Sequence, residues 1–381
     1  MRHYLTAEIS RRAVANNLDV LRSRLPRGCK LCAVVKANCY GHTIDALLET
    51  IVARADALAV ATIPEALEIR SRGYSGMILA LLACGPQGGG DQLEAVAEAV
   101  RHDIHVSLTD LADIPPLERL AETLNKSPHV HVKIDTGMGR SGVLAAEAVE
   151  LIQAIRRSGK LHLAGVFTHF AASDEQDKTH AESQFAVYSA VIRAVGPLPG
   201  VIRHVANSAA VADMPQTTLD MVRPGIAIYG YQPSEDICNQ LPLQPALRLT
   251  APIVQLKCLP AGVTCGYGRT HTLTRASRVG IAPAGYADCM TRLLSNRCSV
   301  RVGPSLAPVI GRISMDQVIL DLTDCPAAKV GDRVELISPD PAAPNSVANL
   351  AKLCDTIPYE VTCRLGNRVT YLAVDQFSEN V

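Results

Sequence analysis

Residues 31–43 read LCAVVKANCYGHT, an apolar run that carries a lysine at its end and then breaks into Asn, Tyr, Gly and His. Small and β-branched residues in a short run predict a buried strand, which places Lys36 at the strand's carboxyl end. The simplest interpretation is a rim lysine whose stem packs on the sheet while its ammonium group reaches water. The alternative is an amine desolvated enough to lose its proton and condense with a carbonyl group. Position alone does not choose between them.

This strand is the first of eight similar apolar runs in the first part of the chain. They cover residues 31–36, 57–62, 77–83, 104–108, 130–135, 163–169, 201–206 and 226–229. Segments such as AAEAVELIQAIRRSG lie between them and keep a period near 3.6 residues, which indicates helices. Eight β-α repeats favour a closed, TIM-like (β/α)8 barrel over an open doubly wound sheet. The seventh helix, near SAAVADMP, has the weakest pattern.

The pattern changes after the segment YQPSEDICNQLPLQP, which is rich in Pro, Gln and acidic residues. From about residue 246 the chain shows β-rich runs such as LRLTAPIVQLKCL and APVIGRISMDQVILDL, followed by one helical stretch, SVANLAKLCDTI. We therefore predict an α/β barrel domain over residues 10–235 and a mostly-β domain over residues 240–381. Residues 1–9 are a candidate addition to the second domain.

The charge balance argues for a small-molecule ligand. The 381 residues include 37 basic and 37 acidic side chains, so the chain lacks the positive excess typical of proteins that bind nucleic acid or a membrane surface. No apolar run approaches about 18 residues, and the start MRHYLTAEIS does not look like a secretion signal. These features predict a cytoplasmic protein.

Cysteine and histidine patterns give little support for a metal site. Twelve cysteines are scattered through a large chain, which predicts mostly reduced core residues. Cys29 and Cys32 form a CxxC pair, but no second pair follows at zinc-ribbon spacing. His129 and His131 share one face of a strand without a further ligand cluster nearby. We interpret them as ordinary strand histidines and expect no metal.

Polar residues at the carboxyl ends of the predicted strands mark the candidate active site, because barrel enzymes place their chemistry on the loops that follow those ends. They are Lys36, Tyr40, Lys133, Arg140, His169, Asn207, Ser208 and Arg223. One competing signal is GMGRSG at residues 137–142, which matches the dinucleotide pattern GxGxxG. It follows the fifth strand and lacks an acidic ribose partner about 20 residues further on, so it is a weak nicotinamide site.

A series of motifs resembles the alanine racemase family, in order from about residue 5 to residue 372. They are KANCYGH, HVKIDTGMGR, GVFTHF, RHVANSA, VRPGIAIYG, GYAD, GRISMDQ and IPYEV. The resemblance implies pyridoxal 5'-phosphate as cofactor, an N-terminal α/β barrel with a C-terminal β domain, and a homodimer whose active sites draw on both subunits. The expected activity is the interconversion of L-alanine and D-alanine.

The resemblance also implies the cofactor contacts. Lys36 matches the lysine that holds the cofactor as a Schiff base, and Arg223 matches the arginine that faces its pyridine nitrogen. A permanent cation there disfavours protonation of that nitrogen, which weakens the ring as an electron sink and should suppress side reactions. The expected phosphate contacts are Tyr40, Asn207, Ser208, Gly225, Ile226 and Tyr359.

Racemisation needs one base on each face of Cα, and the resemblance assigns both. Lys36 serves one face and Tyr286 of the partner subunit the other, with His169 linking that tyrosine to the arginine at the ring nitrogen. Arg140 is expected beside the substrate carboxylate, where a guanidinium fork suits paired oxygens. The backbone amide of Met315, next to Asp316, is expected to help hold that carboxylate. Lys133 matches a lysine that is often carbamylated in this family.

The chain departs from the usual family pattern at three positions: Cys39 and Thr43, where KANAYGHG is common, and Cys289, where glycine often follows GYAD. A cysteine reaches positive φ less freely than glycine, so the loop beside Tyr286 is a point to check.

Alternatives to an alanine racemase stay open at this point. A racemase for serine or a broader set of amino acids is one, since pocket selectivity for one hydroxyl can be modest. A decarboxylase is disfavoured by Arg223, and a non-catalytic cofactor carrier by the second-domain residues Tyr286 and Met315. Whether D-alanine is supplied for peptidoglycan precursors or consumed is not decided by the sequence.

Overall fold

The computed structural model describes residues 4–83, 85 and 90–378, and its first large unit is a barrel. After β1 (Leu5–Ser10), which joins another sheet, the barrel strands are β2 Lys30–Val34, β3 Ala57–Val60, β4 Met77–Ala83, β5 Ile104–Leu108, β6 His129–Asp135, β8 His162–Phe167, β9 Ile202–His204 and β10 Met221–Val222. They run parallel in the order β10-β2-β3-β4-β5-β6-β8-β9, and a short β7 (Val143–Leu144) pairs with β6. Backbone N–H groups of Asp220 and Arg223 donate to the carbonyls of Arg203 and Ala206, which connects β9 to β10 and closes the ring.

Helices alternate with the barrel strands, as the periodicity predicts. They are α1 Arg11–Ser23, α3 Ile44–Val52, α4 Ile63–Ser71, α5 Gly90–Arg101, α6 Ile114–Leu124, α7 Ala145–Ser158, α8 Thr179–Val195 and α9 Ser208–Asp213, while the short element α2 Lys36–Tyr40 is a left-handed turn. Helix α1 shows why they pack outside the barrel: Val14, Leu18 and Leu21 recur at helical spacing and are fully buried. The weak seventh helix is present but short, at α9. The (β/α)8 barrel is confirmed.

One predicted strand is wrong. Residues 226–229 form a 3-10 turn, Ile226–Tyr229, and the eighth barrel strand is the earlier two-residue segment Met221–Val222. Pro224 lacks a backbone N–H and interrupts the segment before the turn. The turn is apolar because it is buried: the Tyr229 hydroxyl donates to the carbonyl of Val34 at 3.0 Å. An apolar run alone does not distinguish a buried strand from a buried turn.

The C-terminal part is mostly β, as predicted. Its strands are β11 Leu247–Pro252, β12 Gln255–Leu259, β13 Thr264–Cys265, β14 His271–Thr272, β15 Ser277–Ala282, β16 Ser299–Val302, β17 Ser305–Pro308, β18 Val318–Asp321, β19 Arg333–Ile337 and β20 Val369–Val374. They form a six-stranded sheet in the order β17-β16-β19-β11-β1-β20, a three-stranded sheet β12-β15-β18 and the pair β13-β14. In the large sheet, β1 pairs antiparallel with β11 and parallel with β20.

The helical stretch SVANLAKLCDTI differs from its predicted extent. Helix α10 covers Val347–Leu353, and a second helix, α11, covers Pro358–Cys363. The chain cannot continue as one helix because Asp355 adopts φ +54° and Pro358 clashes with a helical turn before it. Helix α11 matters for the site, since it lies against the turn that carries Lys36.

The described part of the chain holds no helix that is long and apolar enough to cross a membrane. The same residues contain no group of three or more His, Cys, Asp or Glu side chains that could hold a metal ion. Eleven of the described cysteines are free thiols, and seven of them are buried, so the predicted core position is confirmed for those seven and is wrong for the exposed Cys238, Cys258 and Cys363. The twelfth, Cys84, lies outside the described residues.

Candidate active site

A cavity of about 430 Å³ opens at the carboxyl ends of the barrel strands. It brings together eleven of the predicted site residues: Lys36, Tyr40, Lys133, Arg140, His169, Asn207, Ser208, Arg223, Gly225, Ile226 and Tyr359. All but Tyr359 come from the barrel, and Tyr359 reaches the cavity from α11. The predicted residues Tyr286 and Met315 are not among the described residues that line it.

A larger and more open depression of about 980 Å³ lies in the C-terminal part, away from these groups. Its charged side chains already have partners: Arg248 pairs with Glu8, and Arg301 pairs with Glu335 at 3.5 Å. Arg333 donates to the backbone carbonyl of Thr250 at 3.0 Å. Paired charges have little left to offer a ligand, so the barrel mouth is the candidate active site.

Lys36 reaches the cavity from a left-handed turn. Ala37, Asn38, Cys39 and Tyr40 all have φ between +50° and +58°, a conformation that costs roughly 1–2 kcal/mol per L-residue. Side chains hold the turn at both ends: the Asn38 Oδ1 accepts from the Ile44 N–H at 2.7 Å, and a carboxylate oxygen of Glu65 accepts from the Ala37 N–H at 2.7 Å. The turn therefore places the side chains of Lys36 and Tyr40 in one cavity, although their backbone is strained.

Glycine follows this turn for two reasons. Gly41 has φ +81°, and a Cβ there would lie 2.0 Å from the carbonyl oxygen of Thr362 in α11. The bare backbone thus lets α11 approach closely enough to place Tyr359 beside Tyr40, with ring centroids 5.9 Å apart.

The three departures from the family pattern have different consequences. Cys39 and Thr43 occupy the left-handed region, with φ +58° and +61°. Cys289 does not, so the concern about loop geometry there is wrong: this cysteine is buried, and its N–H donates to the Gly285 carbonyl at 3.3 Å. Thr43 is the most strained of the three, because it combines φ +61° with ψ +127° on a β-branched residue.

We expect the substitution Thr43→Gly to stabilise the protein by about 1 kcal/mol, because relief of backbone strain exceeds the extra entropy of glycine in the unfolded chain. Urea unfolding would measure the change in the free energy of unfolding. Thr43→Ala is the matched control, since it removes the hydroxyl but keeps a Cβ at positive φ. Equal stabilisation by both substitutions would contradict the strain at this position.

Four cations line the cavity, while its described lining contains no carboxylate. Burial lowers the pKa of the Lys36 amine, and the positive charge of Arg140 lowers it further. Burial also lowers the pKa of Lys133 to about 8, with Arg140 and Arg223 acting in the same direction. A cavity with this excess of positive charge suits a ligand that carries phosphate and carboxylate groups.

Arg223 is held rigidly under the cavity. Its guanidinium group is buried and donates to the Thr168 carbonyl and to Nδ1 of His204, both at 2.7 Å. It also lies over the ring of Phe167, 5.2 Å from the centroid. Burial lowers the pKa of Arg223 to about 10, so it is still charged at neutral pH. The structure therefore presents a fixed cation that donates hydrogen bonds and accepts none.

A chain of histidines continues from Arg223 into the barrel. His204 Nε2 lies 2.9 Å from His131 Nδ1, and His131 Nε2 lies 2.9 Å from His105 Nδ1. Because the arginine can only donate, we assign Nδ1 as acceptor and Nε2 as donor on each ring. The sequence interpretation of His131 as an ordinary strand residue missed this chain, since its partners are 26 and 73 residues away.

A small cradle of polar groups also lines the cavity. The Ser208 Oγ accepts from the N–H groups of Gly225 and Ala227 at 2.9 and 3.4 Å, and the Asn207 Oδ1 caps α9. At Gly225 a Cβ would lie 2.3 Å from the Tyr40 hydroxyl oxygen. The hydroxyls of Tyr40, Ser208 and Tyr359 and the nearby cations fit a phosphate group, and the amine of Lys36 fits an aldehyde. The residues present thus fit pyridoxal 5'-phosphate.

The GMGRSG segment has a structural role. The Asp135 carboxylate accepts from the backbone N–H groups of Gly137, Met138, Gly139 and Arg140 at 2.9 to 3.2 Å. These amides are therefore engaged by the protein itself, and the loop directs Arg140 into the cavity.

Tyr286 and Met315 lie together on the surface of the C-terminal part. Their side chains are 45% and 52% exposed, and the Tyr286 N–H donates to the carbonyl of Ser314 at 3.0 Å. A Cβ at Gly285 would lie 2.1 Å from the Met315 carbonyl, so a glycine is needed to bring the two loops together. Arg368, which the sequence analysis missed, clamps both loops by pairing with Asp288 and Asp316 at 2.9 and 2.6 Å.

The family comparisons agree with this geometry. The family descriptions "Alanine racemase, N-terminal domain" and "Alanine racemase, C-terminal domain" match residues 9–233 and 246–373. "Alanine racemase 2" of Caldanaerobacter subterraneus subsp. tengcongensis is 36% identical over 367 residues, which cover 95% of this chain and 92% of the relative. The alanine racemase of Treponema denticola is 37% identical over 370 residues, covering 94% and 95%.

Solved structures give the same result. The alanine racemase of Clostridium difficile 630 superposes with a TM-score of 0.90 at 32% identity, covering 100% of this chain and 98% of that one. The enzyme of E. faecalis superposes with a TM-score of 0.88 at 32% identity, covering 97% and 98%. Both domains, their order and nearly the full length of the relatives are matched, and the chain therefore belongs to the alanine racemase family.

Proposed function

We propose that the barrel mouth is where this chain interconverts L-alanine and D-alanine, by a two-base reaction with Lys36 on one face of the substrate and Tyr286 of the partner subunit on the other. The activity is that of its family, an isomerase that uses pyridoxal 5'-phosphate. The observation that carries the site assignment is the convergence of the Lys36 amine, the Arg223 guanidinium group and the Ser208 cradle in one cavity.

When bound, pyridoxal 5'-phosphate supplies an electron-withdrawing ring that makes the substrate Cα–H acidic. Lys36 would hold it at the aldehyde and Arg223 at the ring nitrogen, and the phosphate would be held by Tyr40, Asn207, Ser208, Gly225, Ile226 and Tyr359. Because the Arg223 N–H groups can only donate, they would favour an unprotonated ring nitrogen. This restrains electron withdrawal and favours return of the proton to Cα over other outcomes.

Two residues move the proton. Burial and the charge of Arg140 lower the pKa of Lys36, which raises the fraction of its Nζ that is free to accept a proton from Cα. The Tyr286 hydroxyl then delivers one to the opposite face, or the roles reverse for the other enantiomer. His169 lines the cavity, and burial followed by the charge of Arg223 lowers its pKa to about 3. A neutral imidazole can accept one hydrogen bond and donate another, which fits a link between the tyrosine and Arg223.

The substrate carboxylate is assigned to the Arg140 guanidinium group and the Met315 amide of the partner subunit, and Lys133 is assigned as a carbamate that orients Arg140. The pKa of about 8 supports this, because a neutral amine is the form that reacts with carbon dioxide. In ¹³C-bicarbonate, wild type should show a carbamate carbon signal that Lys133→Gln lacks. Identical spectra for wild type and Lys133→Gln would contradict the assignment of Lys133 as a carbamate.

The partner subunit is a second copy of this chain. Within each chain, we place the boundary between the two domains near residues 235–240. The exposure of Tyr286, Met315 and Tyr267, which are 45%, 52% and 70% exposed, supports a subunit interface on this face. The eleven free thiols fit a reducing compartment, so we place the protein in the cytoplasm.

Incubation of the cofactor-loaded protein with single enantiomers of alanine and serine in heavy water tests the activity. We expect the opposite enantiomer of alanine to form with deuterium at Cα, and the two rates rank the substrates. Bound cofactor with neither inversion nor exchange would overturn the proposed function.

A further inference from the structure

One carboxylate fastens two loops of the barrel together beside Lys36. The Glu65 Oε1 accepts from the Ala37 N–H at 2.7 Å, and its Oε2 accepts from the N–H groups of Ala61 and Thr62 at 2.8 and 3.0 Å. Ala37 follows β2, whereas Ala61 and Thr62 follow β3. Both oxygens are thus occupied by backbone donors, and Glu65 is not among the described residues that line the cavity.

The two carboxylate oxygens of Glu65 have different functions. Oε2 completes a capping box, in which the Thr62 Oγ1 accepts from the Glu65 N–H and the Glu65 side chain accepts from the Thr62 N–H. A helix cap needs nothing more. The bond from Oε1 to Ala37 is additional, and it crosses 28 residues of sequence to the turn that carries Lys36.

The position of that bond is informative. The Ala37 N–H belongs to the peptide group that joins Lys36 to Ala37, and Ala37 is the first residue of the left-handed turn. Backbone strain of this kind persists only where neighbouring groups over-determine the conformation. A charged acceptor on this peptide group therefore fixes the backbone from which the lysine side chain extends.

We propose that Glu65 is a positioning residue for Lys36: its Oε1 holds the Lys36–Ala37 peptide group and thereby directs the amine toward the cofactor aldehyde and the substrate Cα. The inference rests on the proposed role of Lys36. Glu65 itself touches neither reactant.

The variant Glu65→Gln separates this role from helix capping. Glutamine is accepted at the third position of a capping box, so the amide oxygen keeps the Thr62 and Ala61 bonds and α4 stays capped. The amide NH2 then faces the Ala37 N–H, donor against donor. The matched control is Glu68→Gln on the same helix, because Glu68 is exposed and bonds only to Arg72 among the described side-chain contacts.

Two readouts test the inference in the full-length protein. Without cofactor, hydrogen exchange at the Ala37 amide should become about tenfold faster in Glu65→Gln, with unchanged exchange within α4. On addition of pyridoxal 5'-phosphate, the absorbance change that follows its reaction with Lys36 should be about tenfold slower, and kcat should fall by more than KM changes. Glu68→Gln should match wild type in both measurements.

The inference would be overturned if Glu65→Gln kept wild-type exchange at Ala37, or if exchange rose while cofactor uptake and kcat stayed unchanged. Faster exchange throughout α4 would assign Glu65 to capping and also overturn it. These outcomes differ from failure of the proposed function, in which wild type itself would bind cofactor without racemising alanine.

Discussion

Replacing Tyr286 with phenylalanine should reduce racemisation of alanine about 10³-fold while leaving one enantiomer able to exchange its Cα proton with retention. The reason is that Lys36 still serves its own face, whereas no group remains to deliver a proton to the other. Heavy-water incubations followed by NMR and chiral chromatography measure exchange and inversion separately. Lys36→Ala is the contrasting variant, because any exchange that remains in it should be confined to the opposite enantiomer, whose Cα proton faces Tyr286.

Inversion at a normal rate in Tyr286→Phe would contradict the two-base assignment. Exchange lost equally from both enantiomers would instead show that the tyrosine is needed for substrate binding. We expect inversion to be lost while one enantiomer still exchanges, because Arg140, the proposed carboxylate ligand, lines the cavity independently of Tyr286.

The same pair of variants tests whether the two bases come from different subunits. We expect a purified heterodimer of one Lys36→Ala chain and one Tyr286→Phe chain to recover about half of wild-type activity, since one of its two shared sites contains both residues. Two different affinity tags allow its isolation. If each chain used its own tyrosine, both sites of the heterodimer would be damaged and no activity would return.

The sequence predicted those parts of the fold that depend on local pattern. The strand at residues 30–34 and most of its repeats are visible as apolar runs, because burial on both faces removes polar residues from a parallel strand. The segment 226–229 was misassigned for the same reason, since burial of a 3-10 turn leaves the same composition. The two-residue strand Met221–Val222 is too short to carry any period.

The site residues also divide into those that the sequence could predict and those that it could not. Residues that touch the ligand, such as Lys36 and Arg223, follow strands and could be found from their type and place. The groups that hold them could not: Glu65 and Asp135 act on backbone N–H groups, and His204 reaches Arg223 through the folded barrel. The motif TIPE at residues 62–65 does encode a capping box at Thr62. However, nothing in the neighbouring sequence reveals the bond from the Ala37 N–H to the Glu65 Oε1.

The positions with positive φ could not be recognised from the sequence either. Thr43 and Cys289 both replace glycines of the common pattern, yet only Thr43 occupies the left-handed region. A glycine in a pattern has several uses, and the structure shows which use applies at each place. At Gly285 it is the close approach of the Met315 carbonyl, and the residue at 289 is free to be larger.

Acid should destabilise this protein strongly, because three histidines are fully buried. Burial lowers the pKa of His42 to about 4 and holds the pKa values of His131 and His204 well below their usual range. The unfolded chain, with a histidine pKa near 6.5, then takes up protons first as the pH falls. The contribution of these histidines to stability is therefore complete above about pH 7.5 and is lost progressively as the pH falls through about 6.5.

Each histidine that stays neutral in the folded protein costs on the order of 1 kcal/mol between about pH 7.5 and pH 5.5, so the three together cost several kcal/mol. That is a large share of the 5–15 kcal/mol typical of a folded domain. Urea unfolding at a series of pH values measures the slope. The variant His42→Gln should lower the slope by about one proton. A stability that stays level from pH 7.5 to 5.5 would mean that the buried imidazoles take up protons in the folded state. That outcome would also remove the neutral histidine chain that holds Arg223 as a donor.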